Sequence, residues 1–293
     1  MSFVPRTGLL LALSIVLTGC SLMPVRRRLP VPKAPENIQT VAPQKLVAEL
    51  DQRWQDLHTL TATVKMQVTE YKKAQGEAET LPPATGWILL QKPYMLRVSG
   101  NFMGARAFDM VSNGKTFTLQ IPSKNLVIRG PDTATIKSPN PLYNLRPGFF
   151  LAAMFVQGLD PADRYSVISD TETMLDDSER HLLSIPEYIL NIARLNPGSQ
   201  QMTEVRVVSV HREDLLPYSQ DIYDDAGHLE ARVEYRAYHR FGQVNYPSRI
   251  TIHCPIAGID IALTVIQVKE NSTVSAGSFQ LRLAPGRKIQ QLN

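Results

Sequence analysis

The side chains that could carry out acid–base or metal chemistry are scattered along the 293 residues of this chain. No two histidines have a spacing that is usual for zinc ligands, and the sequence lacks a nucleophile elbow, a phosphate-binding loop and a dinucleotide-binding glycine pattern. His253 and Cys254 are adjacent, but neighbouring strand residues point to opposite faces and could not easily cooperate. The sequence therefore disfavours an enzyme and predicts neither a metal ion nor a cofactor. The histidines are His58, His181, His211, His228, His239 and His253.

A group of acidic residues near position 224 faintly resembles a calcium-binding loop. Asp221, Asp224, Asp225 and Gly227 occur there, but the full pattern and its terminal glutamate are missing. A hairpin turn is the favoured interpretation of this segment.

One cysteine stands in a pattern that does predict chemistry. Arg6 precedes a nine-residue apolar run, and residues 17–20 read Leu-Thr-Gly-Cys. This layout is typical of a secretory signal, and the run is too short to span a bilayer, which needs about 20 apolar residues. The four residues resemble a lipobox, in which the cysteine receives a diacylglyceryl group and becomes the new N-terminus. We therefore expect lipidation at Cys20; the alternative is a plain signal peptide with a chance cysteine.

Composition and cysteine number limit the remaining possibilities. With Cys20 acylated, only Cys254 remains, so no internal disulfide can form. The net charge of +4 is small, and the basic residues of the chain are scattered except at 26–28. The sequence therefore lacks the basic patch that is typical of nucleic-acid-binding proteins. We predict a signal peptide at 1–19, a lipidated and Pro-rich tether at 20–43, and one domain at 44–293.

The domain is expected to open with a helix and to continue with strands. Apolar residues between Pro43 and His58 share one helix face. After the helix, apolar and polar residues alternate with a period of two, which is typical of half-buried antiparallel strands. Asn113-Gly114 predicts a tight hairpin between two of them. Alternating segments begin near residues 64, 94, 108, 117, 205, 229, 250 and 259.

Two segments depart from this pattern. Residues 138–158 are very apolar and bounded by proline and glycine, which predicts one or two short helices that are either buried or lie across a cavity. Residues 184–195 fit a helix or a strand equally well.

The order of these elements resembles that of the LolA/LolB group of periplasmic lipid and lipoprotein carriers, and LolB in particular. The resemblance is most specific at residues 94–104, Tyr-Met-Leu-Arg-Val-Ser-Gly-Asn-Phe-Met-Gly, followed by Phe108 and Met110. Residues 144–147, the hairpin at 242–247 and the ending at 279–292 are also similar. The chain departs from LolB in its greater length around 170–220 and in Phe102, where the family has proline.

The resemblance implies a mainly β fold with an α lid. The expected architecture is a strongly curved antiparallel sheet, forming an incomplete β-barrel of about 11 strands, with an N-terminal helix and short helices that cover an apolar cavity. By analogy, Phe102 and Met103 form a loop that contacts the membrane. The expected cavity residues are Trp87, Leu96, Phe108, Phe117, Leu119, Phe149, Phe150, Met154, Phe155 and Tyr235.

The implied function is the binding of acyl chains by an outer-membrane lipoprotein on the periplasmic face. Ser21, rather than aspartate, follows the lipidated cysteine, which by resemblance indicates the outer membrane. The expected partners are the membrane, the acyl chains of lipoproteins or another lipid, and a soluble periplasmic carrier. Two alternatives to LolB-like acceptance and insertion of lipoproteins stay open: a lipid- or lipoprotein-sensing module of the same fold, and a structural envelope lipoprotein without a ligand.

Overall fold

The computed structural model describes residues 35, 37–72, 76–132, 147–175, 182–283 and 285–292. One compact unit comprises residues 35–172 and 185–293, and described residues 173–175 and 182–184 belong to a second unit. Within the described ranges, no helix is long and apolar enough to cross a bilayer. The signal peptide, Cys20 and most of the predicted tether lie outside the described residues.

The described residues form two α-helices, fifteen strands and two short 3-10 helices, Pro122–Lys124 and Ala276–Phe279. The helices are α1 (Pro43–Asp56) and α2 (Pro147–Met154). The strands are β1 (Thr59–Lys72), β2 (Glu77–Thr80), β3 (Ala84–Gln91), β4 (Met95–Phe102), β5 (Ala105–Ser112), β6 (Thr116–Ile121), β7 (Leu126–Pro131), β8 (Asp163–Leu175), β9 (Leu182–Leu195), β10 (Met202–His211), β11 (Pro217–Tyr223), β12 (Leu229–Phe241), β13 (Val244–Cys254), β14 (Ile259–Glu270) and β15 (Lys288–Gln291).

All fifteen strands belong to one open, curved sheet, which confirms the predicted mainly β class. Its order is β15-β7-β6-β5-β4-β3-β1-β14-β13-β12-β11-β10-β9-β8, with β2 paired to β1. Neighbouring strands from β7 to β9 in this order are antiparallel, as are β1 and β2, whereas β15 runs parallel to β7. The expected count of about 11 strands was too low. The edge strand β8 gave no alternation because most of its side chains are exposed on both faces, and the ambiguous segment 184–195 belongs to strand β9.

The alternation of side chains gives the sheet an apolar inner face and a more polar outer face. In β1, Leu60, Ala62, Val64 and Met66 are buried on the inner face, whereas the residues between them point to the outer face. The register carries this division from strand to strand across the sheet. The inner face is therefore the one that must be covered by other elements.

Helix α1 begins with Pro43, a favoured residue at the first helical position, and ends two residues before the predicted limit. Its buried side chains Leu46, Val47 and Leu50 pack on a cluster from the inner face of β9 and β10. The described part of the apolar mid-chain segment contains helix α2, which packs on the main core cluster. Residues 133–146 lie outside the described residues.

Candidate functional site

A cavity of about 400 Å³ lies on the inner face beside both helices. One wall comes from the last turn of α1, and a second comes from the chain that leaves α2 at residues 154–156. The hairpin between β12 and β13 supplies the third wall. Exposed polar residues, among them Arg53, Asp56 and Gln243, lie at its margin, so the cavity combines apolar walls with polar groups.

Three aromatic rings form part of the apolar wall of the cavity. The ring centroids of Trp54 and Phe155 are 6.1 Å apart, and those of Phe155 and Tyr246 are 5.9 Å apart. These separations fall in the range of favourable aromatic pairs. The Lys92 ammonium lies 4.2 Å from the Trp54 ring centroid and also donates to the Trp54 carbonyl, and burial lowers the pKa of this ammonium.

The last turn of α2 is held by polar side chains that project from the inner face of the sheet. The Gln220 amide donates to the Ala152 carbonyl at 2.7 Å. The Tyr235 hydroxyl donates to Ala153 at 2.9 Å. The last carbonyls of a helix have no partner within the helix, so these donors satisfy groups that would otherwise be buried and unpaired.

A third donor extends this arrangement to the end of the helix. The Tyr246 hydroxyl donates to the Met154 carbonyl at 2.9 Å. Burial raises the pKa of both Tyr235 and Tyr246 well above the ordinary value for tyrosine, so both phenols remain protonated donors at neutral pH. We call Gln220, Tyr235 and Tyr246 the polar clamp of α2.

The chain beyond α2 is also fixed against α1. The backbone N–H of Leu159 donates to Asp51 Oδ1 at 3.2 Å. Gly158 approaches the same carboxylate so closely that a Cβ atom there would lie 2.1 Å from Asp51 Oδ1. The guanidinium of Arg206 donates to the Gln157 carbonyl at 2.8 Å. The cavity wall at residues 155–156 is thus held at both ends.

Most of the predicted cavity residues lie on the inner face, but few line the cavity. Met154, Phe155 and Tyr235 do so. The other inner-face residues either belong to the main core cluster or pack against it. Phe149 lies in α2, but its side chain is outside the described part of the structure. The packed residues are Leu96, Phe108, Phe117, Leu119 and Phe150.

Trp87 does not belong to the predicted apolar cavity. It lies between Gly86 and Ile88, which face inward, so its side chain points to the outer face and is 44% exposed. Trp87 was predicted to line the cavity because its side chain is large and apolar. Side chains alternate between the two faces of a strand, and this alternation places Trp87 on the outer face.

The turn between β4 and β5 carries the two residues predicted to contact a membrane. Phe102 is 40% exposed and Met103 is 90% exposed. Met103 and Gly104 both have positive φ, 49° and 81°, which is the conformation of a type I′ turn. Glycine and asparagine are the usual residues in such turns, so a methionine there incurs backbone strain and gains no burial.

A second pocket, of about 290 Å³, lies on the outer face near this turn. Its lining includes Trp87, Leu89 and Ser99, with Arg97 and Arg106 beside the buried carboxylate of Asp109. No pattern in the sequence indicated this pocket.

The cavity also contains residues whose role there the sequence did not reveal. Trp54 belongs to the apolar residues between Pro43 and His58, and helical periodicity predicts their shared face but not a cavity wall. Tyr246 lies in the hairpin 242–247, and its position two residues from the turn gave no sign of a partner. Gln220 is fully buried in a strand that has no clear alternation, so no sequence signal could have found it.

The structure explains the adjacent His253 and Cys254, and the acidic segment near residue 224, without catalysis or metal binding. Cys254 is buried on the inner face, where burial raises the pKa of its thiol to about 12, while His253 points outward and contacts Asp260. Asp224 Oδ1 accepts hydrogen bonds from the backbone N–H groups of Ala226 and His228, as in a hairpin turn. Within the described ranges, no three His, Cys, Asp or Glu side chains are placed to hold a metal ion.

The fold is that of a class of open antiparallel sheets with helices on one face, and solved structures of this class resemble the chain. A LolA superfamily protein from Nitrosomonas europaea superimposes with a TM-score of 0.51 and 12% identity, over 83% of this chain and 99% of that one. An outer membrane lipoprotein-sorting protein domain from Vibrio parahaemolyticus gives 0.51 and 10%, over 80% and 94%.

A DUF1329 family protein from Desulfovibrio piger gives a TM-score of 0.50 and 14% identity, over 80% of this chain and 95% of that one. No protein-family profile matches the chain, and no curated protein sequence matches it. At these identities the comparisons show a shared, LolA-like fold.

Proposed function

We propose that this protein is an outer-membrane-anchored periplasmic lipoprotein that binds an acyl chain in the cavity between α1, α2 and the β12–β13 hairpin. Its role would be LolB-like: it accepts a lipoprotein from a soluble carrier and inserts it into the membrane. Cys20 would carry the lipid anchor, and the Pro-rich segment to residue 43 would tether the domain.

The observation that carries this proposal is the cavity of about 400 Å³ with its aromatic wall. This volume is at the lower end of the range for small-molecule sites and corresponds to roughly a dozen groups of the size of water or methylene. Each buried methylene contributes about 0.8 kcal/mol, so a partly sheltered acyl chain would bind usefully in the absence of any catalytic group. The polar margin would remain beside the polar end of the ligand.

The turn at Phe102 and Met103 supports the membrane part of the proposal. An exposed methionine at a strained position contributes little to folding, and its apolar surface is suited to the boundary between head groups and acyl chains. In this proposal the two side chains enter the bilayer surface while cargo passes from the cavity.

The size of the cavity favours a second candidate, a lipid-binding or lipid-sensing module of the same fold. The cavity has room for one acyl chain, whereas a lipoprotein anchor has more than one. Full acceptance of a lipoprotein therefore requires a movement of α2 that releases the polar clamp. A sensor for a single-chain ligand requires no such movement.

The test is native mass spectrometry of the mature chain with Cys20→Ala, exported behind an ordinary signal peptide. A co-purified acylated species is expected, and Val156→Trp, which fills the cavity, should abolish its binding. Ile168→Trp adds the same ring at an exposed site on β8 and should leave binding unchanged. Val156→Phe serves as a second cavity variant if the larger ring impairs folding.

The identity of the bound species separates the candidates. Uptake of a lipoprotein from a soluble carrier supports the LolB-like role, and a single-chain lipid without such uptake supports the sensor. A clean apo mass together with no uptake of added lipid would overturn acyl-chain binding altogether.

A further inference from the structure

The outer-face pocket contains an exposed cation beside an exposed tryptophan. The Arg106 guanidinium lies 5.4 Å from the ring centroid of Trp87, and its side chain is 36% exposed. The planar ring and guanidinium line a space of about 290 Å³ whose remaining lining includes Leu89 and Ser99. The ring face attracts the guanidinium by a cation–π contact, and a guanidinium recognises phosphate and carboxylate groups through its N–H donors.

The charges of this pocket do not cancel. Asp109 is buried and accepts two hydrogen bonds from Arg97, at 2.9 and 2.7 Å, and this bidentate pair raises the pKa of Arg97. Arg106 contacts the same carboxylate at 2.9 Å. Two guanidinium groups therefore share one carboxylate, which leaves one positive charge in excess. Arg106 uses only Nη1 on Asp109, and a guanidinium has five N–H donors, so its remaining donors can bind a second anion.

The strands that carry this pocket lead directly to the apolar turn. Trp87 pairs with Ser99, and the step from Ser99 to Phe102 is three residues, or roughly 10 Å along the strand. Arg106 pairs with Asn101, immediately before the turn. If Phe102 and Met103 enter the acyl boundary, Trp87 and Arg106 lie at the level of the head groups, where tryptophan and arginine are favoured in membrane-associated proteins.

We propose that the Trp87–Arg106 pocket binds the phosphate of an anionic phospholipid and thereby sets the depth at which the turn enters the membrane. The proposal rests on the proposed membrane contact of the turn and adds the lipid class that it recognises. It is independent of what occupies the inner-face cavity.

The chain offers its own probe, because Trp54 and Trp87 are its two tryptophans. In mature protein with Cys20→Ala and Trp54→Phe, only Trp87 emits, and no acyl anchor brings the protein to the vesicles. A blue shift of Trp87 emission is expected with phosphatidylglycerol-containing vesicles and is expected to weaken with salt. Phosphatidylcholine vesicles and inorganic phosphate alone should leave the emission unchanged.

Arg106→Gln should lower the affinity for anionic vesicles about fivefold, the effect of one basic residue near a bilayer surface. Arg106→Lys should retain part of that affinity. Arg240→Gln removes the same charge from an exposed position at the opposite end of the strands and should have no effect. Thermal unfolding of each variant confirms that the fold is intact.

Three results would overturn the proposal. An equal response to phosphatidylcholine would show that no anionic head group is recognised, and a response to inorganic phosphate without vesicles would indicate a free-anion site. An equal loss in Arg240→Gln would show general charge attraction. Acyl binding in the cavity, measured separately by mass spectrometry, distinguishes these failures from failure of the proposed function.

Discussion

The two helices lie on the same face of the sheet but are held there in different ways. Helix α1 is amphipathic and buries Leu46, Val47 and Leu50 against strands β9 and β10. Helix α2 is short and almost entirely apolar, yet its last turn is fixed by hydrogen bonds from Gln220, Tyr235 and Tyr246. Apolar packing thus accounts for most of the hold on α1, whereas the end of α2 combines packing on the main core cluster with three hydrogen bonds beside the cavity.

This difference indicates which helix can move without unfolding the protein. Removing a packed leucine leaves a void in the core and costs about 2–5 kcal/mol. A hydrogen bond contributes only about 0.5–1.5 kcal/mol net, because water or a polar ligand group can replace the donor once the site opens. We therefore regard α1 as the fixed wall of the cavity and the end of α2 as the adjustable wall.

The largest expected effect comes from breaking the packing of α1. Leu46→Ala, at a fully buried position outside the cavity lining, should lower the free energy of unfolding by about 2–5 kcal/mol. Acyl-chain affinity of the folded fraction should be unchanged. Urea unfolding and native mass spectrometry measure the two quantities. If Leu46→Ala lowered the free energy of unfolding less than Tyr246→Phe does, α1 would not be the more firmly held helix.

A smaller effect is expected from the polar clamp. Tyr246→Phe removes the donor to the Met154 carbonyl and should cost about 1–2 kcal/mol, while making the cavity easier to enlarge and increasing the uptake of bulky acylated ligands. Tyr188→Phe is the matched control, since its buried hydroxyl pairs with the backbone of residues 39 and 41 and lies outside the cavity lining. The control should lose similar stability without a change in ligand uptake. Equal uptake in both variants would argue against an adjustable α2.

The sequence predicted the elements whose apolar residues recur with one clear period. The helix at Pro43, the hairpin at Asn113-Gly114 and the strands 64–68 and 259–265 are confirmed because a face that is buried leaves this signal. Strand β8 left no such signal because it is an edge strand with exposed side chains. The number of strands was inferred by resemblance to shorter proteins, and it was too low.

The candidate site was less predictable because it depends on contacts between distant residues. The size of Trp87 suggested the interior, but its parity in the strand places it outside. Gln220 and Tyr246 meet α2 across 68 and 92 residues of sequence. Periodicity assigns residues to a face, and it does not indicate which polar side chain on that face meets a helix end.

The smallest effect is expected at alkaline pH, where ionisation of the Tyr246 phenol lowers the free energy of unfolding. An unfolded tyrosine loses its proton near pH 10, whereas burial raises the pKa of folded Tyr246 well above that value, with smaller contributions from Tyr235, Tyr238 and Glu270. The stability that this difference contributes is fully present below pH ~10 and is lost as the pH rises, because only the unfolded chain releases the proton.

The loss is at most about 1.4 kcal/mol per pH unit for each phenol. In urea unfolding above pH ~10, the free energy of unfolding of Tyr246→Phe should therefore decline less steeply with pH by that amount. Tyr94→Phe changes an exposed ring and serves as the control. If the free energies of unfolding of the wild-type protein, Tyr246→Phe and Tyr94→Phe declined in parallel, the Tyr246 phenol would be accessible to water. The end of α2 would then lack the buried donor that distinguishes it from α1.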